Sequence, residues 1–354
     1  MKKLLAASIF GLIILSGCQN DDEKNVDLTT EEASAAINSA ADQLGDDIIS
    51  IVESEGLNAL MDLSILMEGS DVIGGRMSEG AWTKERVNLM IQYFVNGPAA
   101  RTNNDDPTSF DDIKGLYEWN PELQDFEKEE SEFFIVKFPA AGSETNNAEL
   151  KISDLQFVTV TDTDDDFVSE YEIPSVIIGY LKIDGETLVE LDFEVNWSST
   201  GDPEKADITL FISPFTFDLN FDDTFEKSSS LLASVSIDNE PIVGIDLDVE
   251  YESADKEEPL LLEGFVQYRG IKILGSIDMR EVGPSGNPND YFDLALYADD
   301  SKVGDIVFVL EEDDNGSDDY VPYVQYADGT QENLEEILAP VFEEIESILS
   351  EFED

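Results

Sequence analysis

The chain has 354 residues, of which 81 are Asp or Glu and only 19 are Lys or Arg, so its formal net charge is −62. Such a surface repels nucleic acid and anionic lipid headgroups at long range, and we expect no nucleic-acid partner. Histidine is absent and Cys18 is the one cysteine, which excludes a Ser-His-Asp triad, a Cys-His nucleophile and imidazole metal sites.

Residues 1–17 form a predicted lipoprotein signal peptide. Lys2 and Lys3 precede an apolar stretch over 4–15 that is too short to span a bilayer, and small residues follow in the order Leu15-Ser16-Gly17-Cys18. This order resembles the lipobox of bacterial lipoproteins. The resemblance implies cleavage before Cys18 and acylation of its thiol, with at least two chains such as palmitate holding the protein on a membrane. An ordinary secretory signal with a chance cysteine is the alternative.

Residues 18–28 form a predicted acidic tether that includes Asn20-Asp21-Asp22-Glu23. This patch resembles the export signal of Bacteroidota surface lipoproteins, which implies an outer-membrane, lipid-anchored protein exposed at the cell surface. A solvated linker that carries no export signal would give the same acidic pattern.

Residues 29–114 form a predicted helical section. Thr29 and Thr30 followed by Glu31 and Glu32 are typical of a helix start, and the apolar residues after them recur at helical spacing. A second helix is predicted from Asp46 to Met67 with a bend near Gly56, and a third from Trp82 to Asn96. The predicted core residues of the first two helices are Ala33, Ala36, Ile37, Ala40, Ala41, Leu44, Ile48, Ile49, Ile51, Val52, Leu57, Leu60 and Leu63.

Residues 115–354 form a predicted β body that ends in a helix. Alternating strand patterns dominate from Gly115 to about Tyr326. The segments Gly115–Glu122, Glu132–Pro139 and Thr145–Leu150 resemble a pattern in β-rich lipoproteins of Bacteroidota, which implies a compartment and transfers no catalytic or binding residues.

An internal repeat is predicted within this body. Asp184-Gly185 and Asp238-Asn239 are typical of two-residue type I′ hairpin turns, and the strands after them match at an offset of 54 residues. A weaker third copy begins at Asp299-Asp300 and leads into Val307–Leu310. A meander of similar but unrelated hairpins would give the same pattern.

A C-terminal helix is predicted to cover the sheet. An apolar stripe opposite a glutamate face runs from Asn333 to Phe352, with Pro340 expected to bend the helix. Because the polar face is acidic, whereas membrane-lying helices are normally basic, we expect this helix to pack on the sheet.

Carboxylates in the segment Thr161–Asp166 are the candidate metal ligands. Asp162, Asp164 and Asp166 could hold Ca²⁺ in a loop, although the segment departs from an EF-hand, and a solvated turn is the competing interpretation. Glu311–Asp319 is predicted to be a hairpin tip with Asn315-Gly316 at the turn. Ser228-Ser229-Ser230 is predicted to be a loop. No other cofactor is expected.

Some aromatic residues are candidate ligand platforms. Trp119 beside a turn is the tryptophan that could stack on a sugar, whereas Trp197 is expected in the core. The row Phe215, Phe217, Leu219 and Phe221 is expected to form a dry face that could line an apolar pocket beneath the C-terminal helix.

The sequence therefore predicts an α+β lipoprotein: a helical N-terminal section, a large antiparallel β-sheet of repeated hairpins, and a C-terminal amphipathic helix packed on the sheet. The favoured function is a non-enzymatic binding or structural role with a glycan, lipid or protein partner. A carrier of a lipid or other apolar ligand is the alternative. A carboxylate-based, glycan-active enzyme is the third hypothesis.

Overall fold

The computed structural model describes residues 28–60, 110–164, 167–238, 240–282, 286–312 and 318–341. The chain divides into two compact units. Unit A comprises Ile51–Asn220, and unit B comprises the residues up to Ser50 together with those from Phe221 onward. Most described residues lie in strands, with helices near both ends of the chain, so the α+β class is confirmed. The first helix groups with the later strands, apart from its last two residues.

Helix α1, Thr30–Val52, begins at the predicted start. The hydroxyl of Thr29 accepts a hydrogen bond from the backbone N–H of Glu32 at 3.3 Å, and the carboxylate of Glu32 accepts one from the N–H of Thr29 at 3.0 Å. This reciprocal cap satisfies first-turn donors that would otherwise lack partners. It also holds the pKa of Glu32 below its ordinary value, because the backbone N–H of Thr29 stabilises the charged carboxylate.

The predicted start of a second helix at Asp46 is wrong, because α1 continues unbroken to Val52. The chain breaks instead at Glu53 and Ser54, and helix α2 follows over residues 55–60. The Ser54 hydroxyl caps it by accepting from the N–H of Leu57 at 3.3 Å. Of the predicted core face, Ile49 is exposed, whereas Ala33, Ile37, Ala40, Ala41 and Leu44 are buried. Residues 61–67 and the predicted third helix lie outside the described residues.

Unit A is built on a sheet in the order β2-β1-β3-β4-β5-β6-β7-β8. Strand β1 pairs in parallel with β3, whereas the pairs from β3 through β7 are antiparallel. A short helix, α3 (Phe110–Ile113), precedes β1. The strands are β1 (Gly115–Asn120), β2 (Asp125–Glu129), β3 (Phe134–Phe138), β4 (Ala148–Asp164), β5 (Phe167–Ile183), β6 (Glu186–Trp197), β7 (Pro203–Ile212) and β8 (Phe215–Asp222).

One face of this sheet forms the core of unit A. Alternate residues of each strand share a face, and apolar residues occupy these alternate positions in β3, β4, β5 and β6. Helix α2 contributes Gly56 and the buried Ala59, and the hydroxyl of buried Tyr117 donates to the carbonyl of Ile113 at 2.8 Å. The strand residues with no exposed surface are Phe134, Val136, Phe138, Leu150, Ile152, Ile177, Leu181, Val189 and Phe215.

Unit B contains a meander in which each strand from β9 to β16 pairs antiparallel with the next. The predicted loop at Ser228–Ser230 is wrong, since these residues open β9 and pair with β10. The strands are β9 (Ser228–Ile237), β10 (Glu240–Tyr251), β11 (Pro259–Tyr268), β12 (Ile271–Asp278), β13 (Phe292–Ala298), β14 (Ser301–Glu312), β15 (Asp318–Gln325) and β16 (Gln331–Asn333).

The predicted hairpin turns are present at the start of each copy of the repeat. Asp184 and Gly185 have φ of 51° and 87°, and Asp299 and Asp300 have φ of 48° and 62°, as type I′ geometry requires. Asp238 has φ of 51°. The strands that follow, β6, β10 and β14, each have 12 residues.

A β-bulge recurs at the same place in all three copies. The strand register shifts at the third residue after the turn, namely Leu188 in β6, Ile242 in β10 and Val303 in β14. Each of these extra residues is buried, with 6%, 3% and 1% of its surface exposed. Because a bulge turns one extra side chain out of the alternation, its recurrence supports a duplicated unit over a chance likeness of hairpins.

The core of unit B lies between the sheet and both helices of that unit. Ala33 and Ile37 of α1 pack with Leu296, Ala298 and Val324, which are fully enclosed. Helix α4 comprises residues 334–341 and is capped by Asn333, whose side-chain oxygen accepts from the N–H groups of Glu335 and Glu336. Its apolar residues Leu334, Ile337, Leu338 and Val341 pack against the same cluster. The described part of the C-terminal helix therefore covers the sheet as predicted, and residues 342–354 lie outside the description.

Candidate functional site

The predicted lipidation and calcium residues are described only in part. Cys18 and Asp166 lie outside the described residues. Asp162 and Asp164 belong to β4, opposite Ser169 and Phe167 of β5, so this part of the segment is strand where a turn was expected. Within the described ranges, no group of three or more acidic or cysteine side chains is placed to hold a metal ion. Calcium binding at Asp162, Asp164 and Asp166 stays a prediction.

The tryptophans have different roles from one another. Trp197 is half-buried, and its indole N–H donates to the carbonyl of Pro174 at 2.9 Å, in keeping with the predicted structural role. Trp119 packs its ring edge-on against Phe126, with ring centroids 5.2 Å apart. Trp119 therefore packs within the β1/β2 hairpin, and sugar stacking on it stays a prediction. Trp82 lies outside the described residues.

The predicted aromatic row on β8 is only partly dry. Phe215 is fully enclosed, whereas Phe217, Leu219 and Phe221 are half-buried. On the opposite face Asp218 accepts a hydrogen bond from the hydroxyl of Thr209 at 2.7 Å.

The sheet of unit A carries an ordered row of charges on the face opposite its core. Glu118 of β1 lies opposite Lys137 of β3, Lys137 lies opposite Glu149 of β4, and Glu149 lies opposite Lys182 of β5. Cross-strand partners point to the same face, so the strand register places four charges of alternating sign side by side. The Lys137 ammonium forms an ion pair with Glu118 at 3.2 Å.

A second row on the same face adds aromatic rings to the charges. Lys151 of β4 lies opposite Tyr180 of β5. Its ammonium is 3.8 Å from the ring centroid of Phe133 and 6.0 Å from that of Tyr180. The ammonium of Lys182 approaches the Tyr180 ring to 4.2 Å. We call Phe133, Lys151, Tyr180, Lys182 and Glu149 the lysine–tyrosine patch.

The Tyr180 hydroxyl fixes the centre of the patch by donating to the Glu149 carboxylate at 2.9 Å. Partial burial first, and then this hydrogen bond and the charge of Glu149, raise the pKa of Tyr180 to about 12. The phenol therefore stays neutral at physiological pH. Glu149 is engaged by the tyrosine and does not reach the ammonium of Lys182.

The two lysines of the patch are free of carboxylates. Within the described residues, no carboxylate oxygen lies within 4.0 Å of either ammonium, although acidic side chains outnumber basic ones by 81 to 19. Both lysines are half-buried, and Phe133 is 37% exposed. The patch can therefore offer two positive charges and a ring to a ligand.

A second polar cluster, in unit B, has a structural role. Asp47 of α1 is only 7% exposed and accepts two hydrogen bonds from the Arg269 guanidinium, at 2.6 and 2.9 Å. The Tyr268 hydroxyl donates to the same carboxylate at 3.0 Å. The hydrogen bond to Asp47 raises the pKa of Arg269, while burial and then the charge of Asp47 raise the pKa of Tyr268. The cluster fixes α1 to the β11/β12 turn.

Other half-buried charged residues of unit B interact with nearby groups of the same unit. Lys256 donates to the carboxylate and to the carbonyl of Asp223, both at 2.7 Å, and the Ser229 hydroxyl donates to the same carboxylate. On β10, burial first and the neighbouring charge of Asp248 second raise the pKa of Asp246.

Comparison of the chain with protein-family models, with curated proteins and with solved structures gives no match. Among the described residues, no helix is both long and apolar enough to cross a membrane. The candidate site therefore rests on its own geometry. Sequence patterns did not identify the patch, because its members come from β4, from β5 and from the residue before β3, and only the strand register brings them together. The alternation of Lys151 with buried Leu150 and Ile152 was the available signal.

Proposed function

We propose that this protein is a lipid-anchored envelope protein, held on the outer membrane through Cys18 and exposed at the cell surface, with a non-enzymatic binding or structural role. The lipobox-like order Leu15-Ser16-Gly17-Cys18 and the acidic residues after it support the anchor and the location. The lysine–tyrosine patch carries the binding role, because it places two ammonium groups that form no ion pair with a described carboxylate beside aromatic rings, on the face of the sheet opposite the core of unit A.

The carrier hypothesis is less well supported. A carrier needs space between the sheet and its covering helix. In the described part of α4, Leu334, Ile337, Leu338 and Val341 instead pack directly on the core of unit B. This packing favours a filled interior in that unit, as in a binding or structural protein.

The enzyme hypothesis requires two carboxylates that face each other across a cleft. Asp246 and Asp248 lie along one face of β10, side by side on a single strand. Their arrangement lacks the opposed geometry that glycoside hydrolysis needs. We therefore place the enzyme third.

Acyl labelling of the full chain, combined with cell fractionation, tests the anchor. The unsubstituted protein should take up a labelled fatty acid, fractionate with the outer membrane and be cut by protease added to intact cells. Cys18→Ala should abolish the label and release the protein in soluble form. Ser16→Ala is the matched control, because alanine is also small and should leave labelling intact. A Cys18→Ala protein that stays labelled and membrane-bound would refute the anchor.

A further inference from the structure

Two lysines of the patch lie beside the ring of Tyr180. In a chain of charge −62, an ammonium group can pair with a carboxylate, as Lys137 does with Glu118 and Lys256 does with Asp223. Lys151 and Lys182 instead lie over aromatic rings. Glu149, the carboxylate opposite Lys182, is held by the Tyr180 hydroxyl. The local structure thus keeps two positive charges available.

The surroundings of the patch restrict the shape of a ligand. Strands β3, β4 and β5 are interior strands whose backbone groups are paired on both sides, so the patch offers no free N–H or C=O groups to a peptide strand. It offers ammonium groups and ring faces on a partly exposed sheet face. A thin, extended ligand that lies across the strands fits this surface better than a compact molecule.

The charge of the whole chain restricts the ligand further. A duplex nucleic acid carries a charge roughly every 1.7 Å along its axis, and an anionic membrane presents a continuous negative surface. Both would bring many charges within a Debye length, about 8 Å in physiological salt, of the acidic surface around the patch. A short oligosaccharide with one carboxylate on each sugar carries a lower charge density than either of these and would meet less of this repulsion.

We propose that the lysine–tyrosine patch binds an acidic polysaccharide, through ion pairs from Lys151 and Lys182 to carboxylates on its sugars and through contact of a sugar ring with Phe133 or Tyr180. Carboxylate–ammonium hydrogen bonds supply the attraction, and the aromatic rings supply apolar area. This inference rests on the proposed binding role and names its ligand class.

Titration calorimetry on the full chain in non-ionic detergent tests the proposal. The probe is an oligosaccharide of galacturonic acid, and the comparison ligand is its methyl ester, which keeps the sugar chain but removes the charge. We expect the acid to bind at least about tenfold more tightly than the ester, with affinity falling as salt is added. Equal binding of both ligands, or binding of neither, would overturn the proposal.

Substitutions locate the binding on the patch. The double variant Lys151→Gln, Lys182→Gln should bind the acid roughly tenfold more weakly. The double variant Lys128→Gln, Lys272→Gln is the matched control, because each of these lysines lies over an aromatic ring at 5.1 Å outside the patch and their loss removes the same two charges. Similar losses in the two double variants would contradict the assignment. So would tighter binding of an oligonucleotide of equal charge.

The binding test and the anchoring test fail independently. The calorimetry uses purified chain and does not depend on where the protein resides in the cell. If Cys18→Ala stays membrane-bound while the acid still binds at the patch, the anchor is wrong and the ligand class stands. If the anchor is confirmed and the acid does not bind, only the proposed ligand class is refuted.

Discussion

The Asp47 ion pair allows a quantitative test of how α1 is attached to unit B. Asp47→Asn keeps the shape of the side chain but removes its charge, leaving the Arg269 guanidinium without its ionic partner. The Tyr268 hydroxyl can still donate to the amide oxygen. The substitution therefore isolates the charge from the packing of the helix.

The expected loss follows from the exposure of the two side chains. Breaking a fully buried ion pair costs about 3–5 kcal/mol. Here 10% of the Asp47 side chain and 25% of the Arg269 side chain are exposed, so water can resolvate the guanidinium in part. We expect a loss of about 2 kcal/mol of unfolding free energy. For a unit of this size that corresponds to a fall in Tm of about 4–8 °C.

Thermal unfolding followed by circular dichroism measures this change. Asp46→Asn is the matched control, since Asp46 is the exposed neighbour on the same helix and its loss changes the net charge equally. In so acidic a chain the control should be neutral or slightly stabilising. If the two variants melt within about 1 °C of each other, the ion pair contributes little and the reasoning is refuted.

Two further substitutions test the packing of α2 and the charges on β10. Gly56→Ala should destabilise unit A by about 1–3 kcal/mol in urea unfolding, despite the better helix propensity of alanine, because the added Cβ would lie 2.5 Å from the carbonyl oxygen of Leu188. Glu55→Ala is the control and should be neutral, because Glu55 is exposed. Equal stability of the two variants would contradict the contact. Asp246→Asn should raise the Tm at pH 7, because burial and the charge of Asp248 raise the pKa of Asp246. A carboxyl group whose pKa is raised on folding destabilises the fold progressively as the pH rises above the ordinary pKa of 3.8. The gain in Tm from Asp246→Asn should therefore vanish at lower pH. A gain in Tm that persists at low pH would exclude the raised pKa as its cause.

Several elements could be predicted because their determinants are local. The capping residues Thr29 and Glu32 set the start of α1, and the Asp-Gly turn at Asp184 set the start of β6. Each depends on residues within one turn of chain, so the sequence pattern contains the whole cause. The sequence predicts the break after α1 near Gly56, whereas the structure has it at Glu53 and Ser54. Glycine usually indicates a flexible position, but Gly56 allows the helix to lie close to the carbonyl oxygen of Leu188.

The candidate site could not be predicted in the same way. Lys151 and Tyr180 are ordinary strand residues in the sequence, and the pairing of β4 with β5 makes them neighbours. The recurring bulge at Leu188, Ile242 and Val303 is also set by strand register. Register depends on long-range packing of the sheet, which alternation within a single strand does not specify.

The sequence by itself determined the chemistry that this protein lacks, the alternation of its strands and the position of its hairpin turns, because composition and short-range patterns fix these features. Only the tertiary structure decided which charges are paired. It joined Asp47 to Arg269 across more than two hundred residues and left Lys151 and Lys182 over aromatic rings. Whether a charge is neutralised depends on distances between side chains from separate strands and helices, and those distances exist only in the folded chain.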